Sequence, residues 1–144
     1  MAAQSSASTV WEGDLAHGGG TTTPASGAFP AVEVTWASRT KRAQGKTSPE
    51  ELLAAAHVSC YCMALSNELA EAGTPPERLE ATATVDFEPG VGVRSSHITV
   101  KGRVNGVDQG RFEEAAHAAG EGCPISGALK GNVEIEVDPT LESQ

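Results

Sequence analysis

Three cysteines, Cys60, Cys62 and Cys123, are the residues of this 144-residue chain best suited to chemistry. They are too few for the disulfide framework of a small secreted domain, and in a reducing compartment a thiol that matters is more often catalytic, redox-sensing or metal-bound than structural. Cys123 is followed by Pro124, which suits the first position of a helix, so its sulfur lies beside the unpaired N–H groups of a helix start and is favoured as thiolate. Cys60 falls midway along another helix, where ionisation needs a cation from elsewhere. Cys62, two positions on and about 200° round the helix, faces the opposite way, so Cys60 and Cys62 cannot both meet Cys123. Cys60 and Cys123 are the candidate pair, with the small buried hydrophobe as the ordinary alternative for any one cysteine.

His57 lies one turn before Cys60 on the same helix face, where it can act as base or ligand, or pack among its Ala and Val neighbours with one nitrogen satisfied. His57, Cys60 and Cys123 together could hold a metal. No Cys-x-x-Cys or His-x-x-x-His pair accompanies them, and His17, His97 and His117 are scattered, so no metal is expected.

The elements that position these residues follow from periodicity and punctuation. Ser8 to Trp11 and Ala31 to Trp36 alternate as strands of an antiparallel meander, with Gly18-Gly19-Gly20 and the Thr- and Ser-rich stretch after it turning the chain. Ser48-Pro49-Glu50-Glu51 reads as a cap, a first-turn proline and a capping box, opening a helix that runs to Gly73, about 23 residues and roughly 35 Å. Leu52, Leu53, Ala56, Val58, Cys60, Met63, Leu65 and Leu69 make it apolar over much of its circumference, which marks a central core element, and its alanines allow another helix to approach closely. Glu80 to Phe87 and Val93 to Val104 alternate with period two around Pro89-Gly90 and predict a hairpin. Asp108 to Gly120 predicts a second helix, a short helix follows Cys123-Pro124, and Asn132 to Val137 closes the chain as a strand. The fold class is α+β, with helices gathered on one face of a mainly antiparallel sheet. The length suits one domain over residues 1–144, with 1–7 and 142–144 as frayed ends.

Composition narrows the function classes. With 19 acidic against 10 basic residues the net charge is −9, which argues against nucleic acid, since the one basic cluster is Arg39, Lys41, Arg42 and Lys46. No apolar run approaches the roughly 20 residues that span a bilayer, and the N-terminus has no signal-peptide pattern; the expected location is the cytoplasm. Leu, Ile, Val and Phe make up only 26 of 144 residues while alanine supplies 22. Such a chain buries its apolar faces against a second copy, and the long alanine-bearing helix is the natural seam of a homodimer.

The segment from Thr47 through Ser66, with Ala55-Ala56-His57-Val58-Ser59-Cys60 at its centre, resembles the central-helix signature of the OsmC family, the osmotically inducible relatives of the organic hydroperoxide resistance proteins. Trp11-Glu12-Gly13, Ser26-Gly27 and Cys123-Pro124-Ile125-Ser126-Gly127-Ala128-Leu129 resemble that family's other landmarks in order. The resemblance thus covers about 130 residues. The Ala-Ala-His before the first cysteine is similar to the OsmC branch rather than to the branch with Gly-Tyr there.

The resemblance implies an intertwined homodimer and a thiol-dependent peroxidase that uses no cofactor. In it Cys60 attacks the O–O bond of an organic hydroperoxide or hydrogen peroxide, Cys123 condenses with the resulting sulfenic acid, and an external dithiol reductant restores both thiols. It also implies that Arg39 supplies the cation and that Glu50 holds Arg39 in a bidentate pair. Without the resemblance, Glu50 is a first-turn acid favoured by the helix dipole. Glu50 and Cys60 are ten residues apart, about 15 Å of helical rise, too far for one guanidinium to serve both, so the active sites are expected at the dimer interface, each built from both chains. Thr40 stands where the family often has Phe, Cys62 where Ser is commoner and Gly127 where Lys is frequent. The segment from Arg39 to Glu50 is about one residue longer, leaving Arg42 as an alternative to Arg39. Phe29, Phe87, Met63 and Leu53 are core residues or pocket walls. A non-catalytic redox sensor and a metal- or small-ligand module are the other readings.

Overall fold

The computed structural model describes residues 2–42 and 45–142, which fall into two units, Met1–Leu52 and Leu53–Gln144. In the first unit, strands β1 (Ala7–Glu12), β2 (Gly19–Pro24) and β3 (Val32–Val34) form an antiparallel meander. The expected meander is present with one strand more, because the Gly- and Thr-rich stretch read as a turn is itself β2. Its β-branched threonines favour extended backbone. Gly20 pairs with Trp11, and a Cβ there would lie 2.8 Å from the indole, so this glycine makes room for the ring.

Trp36, expected to end a strand, opens a short helix, α1 (Trp36–Lys41). Thr35 caps it: Thr35 Oγ1 accepts from the Ser38 N–H while Ser38 Oγ accepts from the Thr35 N–H, satisfying two donors that a helix start leaves unpaired. Arg42 closes α1 in the left-handed region with φ 62°.

Helix α2 (Pro49–Glu71) starts where expected, with Ser48 Oγ accepting from the Glu51 N–H at 3.1 Å, one half of the expected capping box. The Glu51 carboxylate accepts from Thr47 Oγ1 and Arg42 Nη2, at 2.6 and 2.8 Å. At the far end Gly73 takes φ 86°. The Thr74 N–H reaches Leu69 O and the Gly73 N–H reaches Ala70 O, a glycine-dependent stop that satisfies free carbonyls.

In the second unit, β4 (Arg78–Glu88) and β5 (Gly92–Arg103) form the expected hairpin, and β6 (Glu134–Leu141) joins β5 in parallel. The closing strand is longer than its alternation indicates. Its parallel pairing follows from the crossover through α3 (Gln109–Gly122) and α4 (Pro124–Leu129). The core is built from every fourth residue of α2 (Tyr61, Leu65, Leu69), alternate residues of β5 (Ile98, Val100) with Val104 beyond its end, and Phe112, Ala116 and Ala119 of α3. Gly102 is required beneath Phe112, since a Cβ there would lie 2.5 Å from the ring.

Two expectations need correction. Within this unit α2 buries one stripe rather than most of its circumference: Ala55, Ala56 and Ser59 are exposed, and Met63 is 73% exposed. The stripe has a four-residue step, and alanines on the other face offer too little surface to be covered by one chain. The expected frayed ends are partly anchored as well. The Ala25 N–H donates to Ser6 O, the Glu142 N–H donates to Gly102 O, and the Glu142 carboxylate lies 3.3 Å from Arg103 Nε; Met1, Ser143 and Gln144 lie outside the described residues. Among the described residues no helix is long and apolar enough to cross a membrane.

Candidate active site

Cys60 lies on α2, and Cys123 occupies the joint between α3 and α4, the position after the last turn of one helix and before the first turn of the next. The Cys123 N–H is held by Ala119 O at 3.0 Å and its side chain is buried. All three cysteines are unbonded thiols. The Cys60 thiol hydrogen-bonds to the Cys123 sulfur. Burial pushes Cys60 up, the bond to Cys123 adds to this, and the Ile125 N–H opposes it. For Cys123 burial also acts upward, but the Cys60 thiol, the N–H and hydroxyl of Ser126 and the Ile125 N–H together outweigh it and leave the thiol lowered. Of the two thiols, Cys123 is therefore the one whose ionisation is eased and Cys60 the one whose ionisation is opposed. A sulfur held as Cys60 is becomes an efficient nucleophile when positive charge is brought to it.

Cys62 is half-buried, and burial alone raises its thiol. Tyr61 beside it is fully buried, donates its hydroxyl to Ala116 O at 2.8 Å, and has its ionisation pushed up by burial and by Cys62 and Cys123. His57 is fully buried; its Nδ1 lies 2.6 Å from Ser96 Oγ and its Nε2 2.8 Å from Ser126 Oγ, so both ring nitrogens are engaged. Burial lowers its basicity. Neither nitrogen is available to a metal without breaking one of these bonds, and among the described residues no group of three His, Cys, Asp or Glu side chains is arranged to hold one.

Ser96 and Ser126 are the site residues that the sequence reading missed. A signal exists for each. Ser96 takes the inward phase of β5 shared by Ile98 and Val100, where a hydroxyl must find a partner. Ser126 follows Cys123 by three residues, which returns it to the same face at the start of α4.

The first unit brings Arg39 and Glu50 together. Arg39 lies in the last turn of α1 and Glu50 in the first turn of α2, with Nε 3.0 Å from Oε1 and Nη2 2.9 Å from Oε2. Ser38, buried between these helix ends, donates to Thr47 O at 2.7 Å and so ties α1 to the approach to α2. The Arg39 guanidinium also stands 6.0 Å from the Trp36 ring centroid, at the outer reach of a cation–π contact. Arg42, the alternative cation, is directed to Ser48 and Glu51. A cavity of about 350 Å³ is lined by Arg39 together with Thr9, Trp11, Leu15, Trp36 and Leu52, among others. Phe29, Phe87, Met63 and Leu53, read as core residues or pocket walls, are not among its lining residues, and Phe29 and Met63 are exposed rather than core.

A family model described as OsmC-like protein matches residues 42–138. The chain is 38% identical over 136 residues to Peroxiredoxin OsmC of Escherichia coli strain K12, covering 92% of this chain and 93% of that protein. It is 27% identical over 99 residues to the organic hydroperoxide resistance protein OhrB of Bacillus subtilis strain 168, covering 68% and 73%. In structure it is similar to an OsmC-like protein from Mycoplasma pneumoniae, with TM-score 0.74, 16% identity and coverage of 99% and 100%.

Proposed function

The chain belongs to the OsmC-like protein family, and from that premise we propose that it is a Cys-based peroxidase that reduces organic hydroperoxides and hydrogen peroxide in oxidative and osmotic stress defence. Cys60 as thiolate attacks the distal peroxide oxygen; the O–O bond breaks, Cys60 becomes a sulfenic acid, and the alkoxide leaves as the alcohol after taking up a proton. Cys123 then attacks the Cys60 sulfur, a disulfide forms, and the sulfenic hydroxyl departs as water. An external dithiol reduces the disulfide by exchange and is itself oxidised to a disulfide. The cycle needs no cofactor beyond the protein's own sulfur.

One observation carries this reading: Cys60 and Cys123, 63 residues apart in sequence, meet as free thiols joined by a hydrogen bond. That is the arrangement a sulfenic acid and its partner thiol require. Arg39, fixed by Glu50, supplies the positive charge that favours the Cys60 thiolate and bonds to a peroxide oxygen as it accumulates charge. Ten residues of helix between Glu50 and Cys60 make this pair serve the Cys60 of a partner subunit, so the working form is a homodimer with two shared sites. The single-chain exposure of Met63 on α2 and of Val10 and Leu15 supports a second copy. Each chain acts as one OsmC-like domain, at work in a reducing cytoplasm.

The test is turnover. Reduced protein mixed with tert-butyl hydroperoxide and excess dithiothreitol consumes many equivalents of peroxide, and without reductant its intact mass falls by two hydrogens. One oxidation without turnover would make it a sensor instead, and no oxidation would end both readings.

A further inference from the structure

His57 has no role in the steps above, yet it is fully buried with a serine hydroxyl on each ring nitrogen. We infer that Ser96, His57 and Ser126 form a one-way hydrogen-bond wire that ends on the Cys123 sulfur and presents that sulfur as the nucleophile of disulfide formation. The wire rests on the reading of Cys123 as the thiol that resolves the Cys60 sulfenic acid.

The argument is a count of hydrogens. A neutral imidazole has one N–H and one acceptor nitrogen, and each serine has one hydroxyl hydrogen. Two directions satisfy the ring. In one, Nδ1–H donates to Ser96 and Ser126 donates to Nε2, which leaves Ser126 only lone pairs to turn toward Cys123. In the other, Ser96 donates to Nδ1, Nε2–H donates to Ser126 Oγ, and the Ser126 hydrogen is released to the sulfur.

The Cys60 thiol and the hydroxyl of Ser126, three residues on in α4, both act on the Cys123 sulfur and ease its ionisation. That sulfur is therefore the acceptor end of the network, and the second direction gives every hydrogen an acceptor. Burial keeps His57 neutral, as the wire requires, and successive bonds of one polarity strengthen one another. The ionisable groups acting on Cys123 beside the wire are Cys60 and Tyr61, the latter protonated and bonded to Ala116 O.

Through this wire His57 and Ser126 are positioning residues: they hold negative charge on Cys123 until it is spent in the S–S bond, and the hydroxyl leaving Cys60 takes up a proton to become water. Peroxide attack by Cys60 does not use the wire.

The experiment separates the two steps. Reduced wild type, Ser126→Ala and Ser126→Thr are mixed with one equivalent of tert-butyl hydroperoxide, quenched over time with a sulfenic-acid trap, and resolved by intact mass across a pH series. Ser126→Ala should still form the sulfenic acid but close the disulfide about tenfold more slowly at neutral pH, the thiolate loss that one pKa unit brings. Its closure profile should move to higher pH, excess peroxide should drive Cys60 to sulfinic acid, and Ser126→Thr should restore the wild-type profile. Unchanged closure and pH profile in Ser126→Ala would overturn the wire alone, whereas a wild type that never closes the disulfide would overturn the peroxidase reading and with it the wire's role. A readout needing no variant is the ¹⁵N spectrum of histidine-labelled wild type at neutral pH: His57 should carry its proton on Nε2, and a proton on Nδ1 or on both nitrogens would overturn the proposed direction.

Discussion

Arg39 and Glu50 face each other as a two-point fork, Nε to Oε1 at 3.0 Å and Nη2 to Oε2 at 2.9 Å, with the Glu50 side chain 7% exposed and that of Arg39 32% exposed. A planar guanidinium in this register is fixed in orientation as well as in charge. Removing Arg39 leaves the buried Glu50 carboxylate without its counter-charge, whereas removing Glu50 takes away the fork that orients the more exposed guanidinium.

Arg39→Lys keeps the charge but cannot make the fork. It should lower kcat/KM for tert-butyl hydroperoxide by about 10- to 1000-fold, the range seen when one charge-stabilising donor is lost, while thermal unfolding moves little. Glu50→Gln should lower it less, because one acceptor oxygen survives. Steady-state peroxide consumption measures both, and an Arg39→Lys protein as active as wild type would transfer the role to Arg42.

The three cysteines should separate cleanly. Cys60→Ser abolishes peroxide consumption. Cys62→Ser leaves it nearly intact, because that thiol stands apart from the hydrogen-bonded pair. Cys123→Ser permits one oxidation and then stalls, with Cys60 advancing to sulfinic acid under excess peroxide. Intact mass after stepwise peroxide addition distinguishes the three, and equal losses for Cys60→Ser and Cys62→Ser would remove the assignment.

How much of this was legible in the sequence depends on how local each signal is. Helix α2 could be read from Ser48, Pro49 and Gly73 because cap, first turn and stop act within a few residues. Helix α1 escaped because it is six residues long and its capping box uses Ser38 where Glu or Gln is usual. Strand β2 looked like a turn, since Gly20 earns its place only from Trp11 on the opposite strand. The same holds at the site. Cys60 and Cys123 were marked by residue type and helix position, and Arg39 and Glu50 by resemblance, whereas Ser96 and Ser126 lie 39 and 69 residues from His57, and no spacing rule connects such positions.

Tyr61, the only tyrosine, gives a clean alkaline probe. Burial first, then Cys62 and Cys123, raises its folded pKa above the ordinary 10.0. A raised folded pKa means that the native state holds its proton more tightly than the unfolded state. The stability this contributes is complete below about pH 10 and is lost as pH rises beyond it. Phenolate absorbance should therefore appear together with loss of secondary structure in an alkaline titration. Tyr61→Phe should lose about 1 kcal/mol at neutral pH with the bond to Ala116 and show a shallower alkaline decline. Phenolate forming well before unfolding would show that the ring is not held as described.

Met63 tests the dimer. It projects from the face of α2 opposite the Tyr61, Leu65 and Leu69 stripe and is 73% exposed in the single chain, so a charge there costs a monomer little. In a dimer that buries this face, Met63→Glu sets two like carboxylates at a symmetric seam and forfeits about 1.5–3 kcal/mol of apolar burial per subunit. The wild type should sediment as a dimer. The variant should shift toward monomer and lose peroxidase activity in step with the dimer fraction, because Arg39 and Cys60 of one site then belong to different molecules. A monomeric variant with full activity would place the whole site within one chain, and an undisturbed dimer would move the seam away from this face of α2.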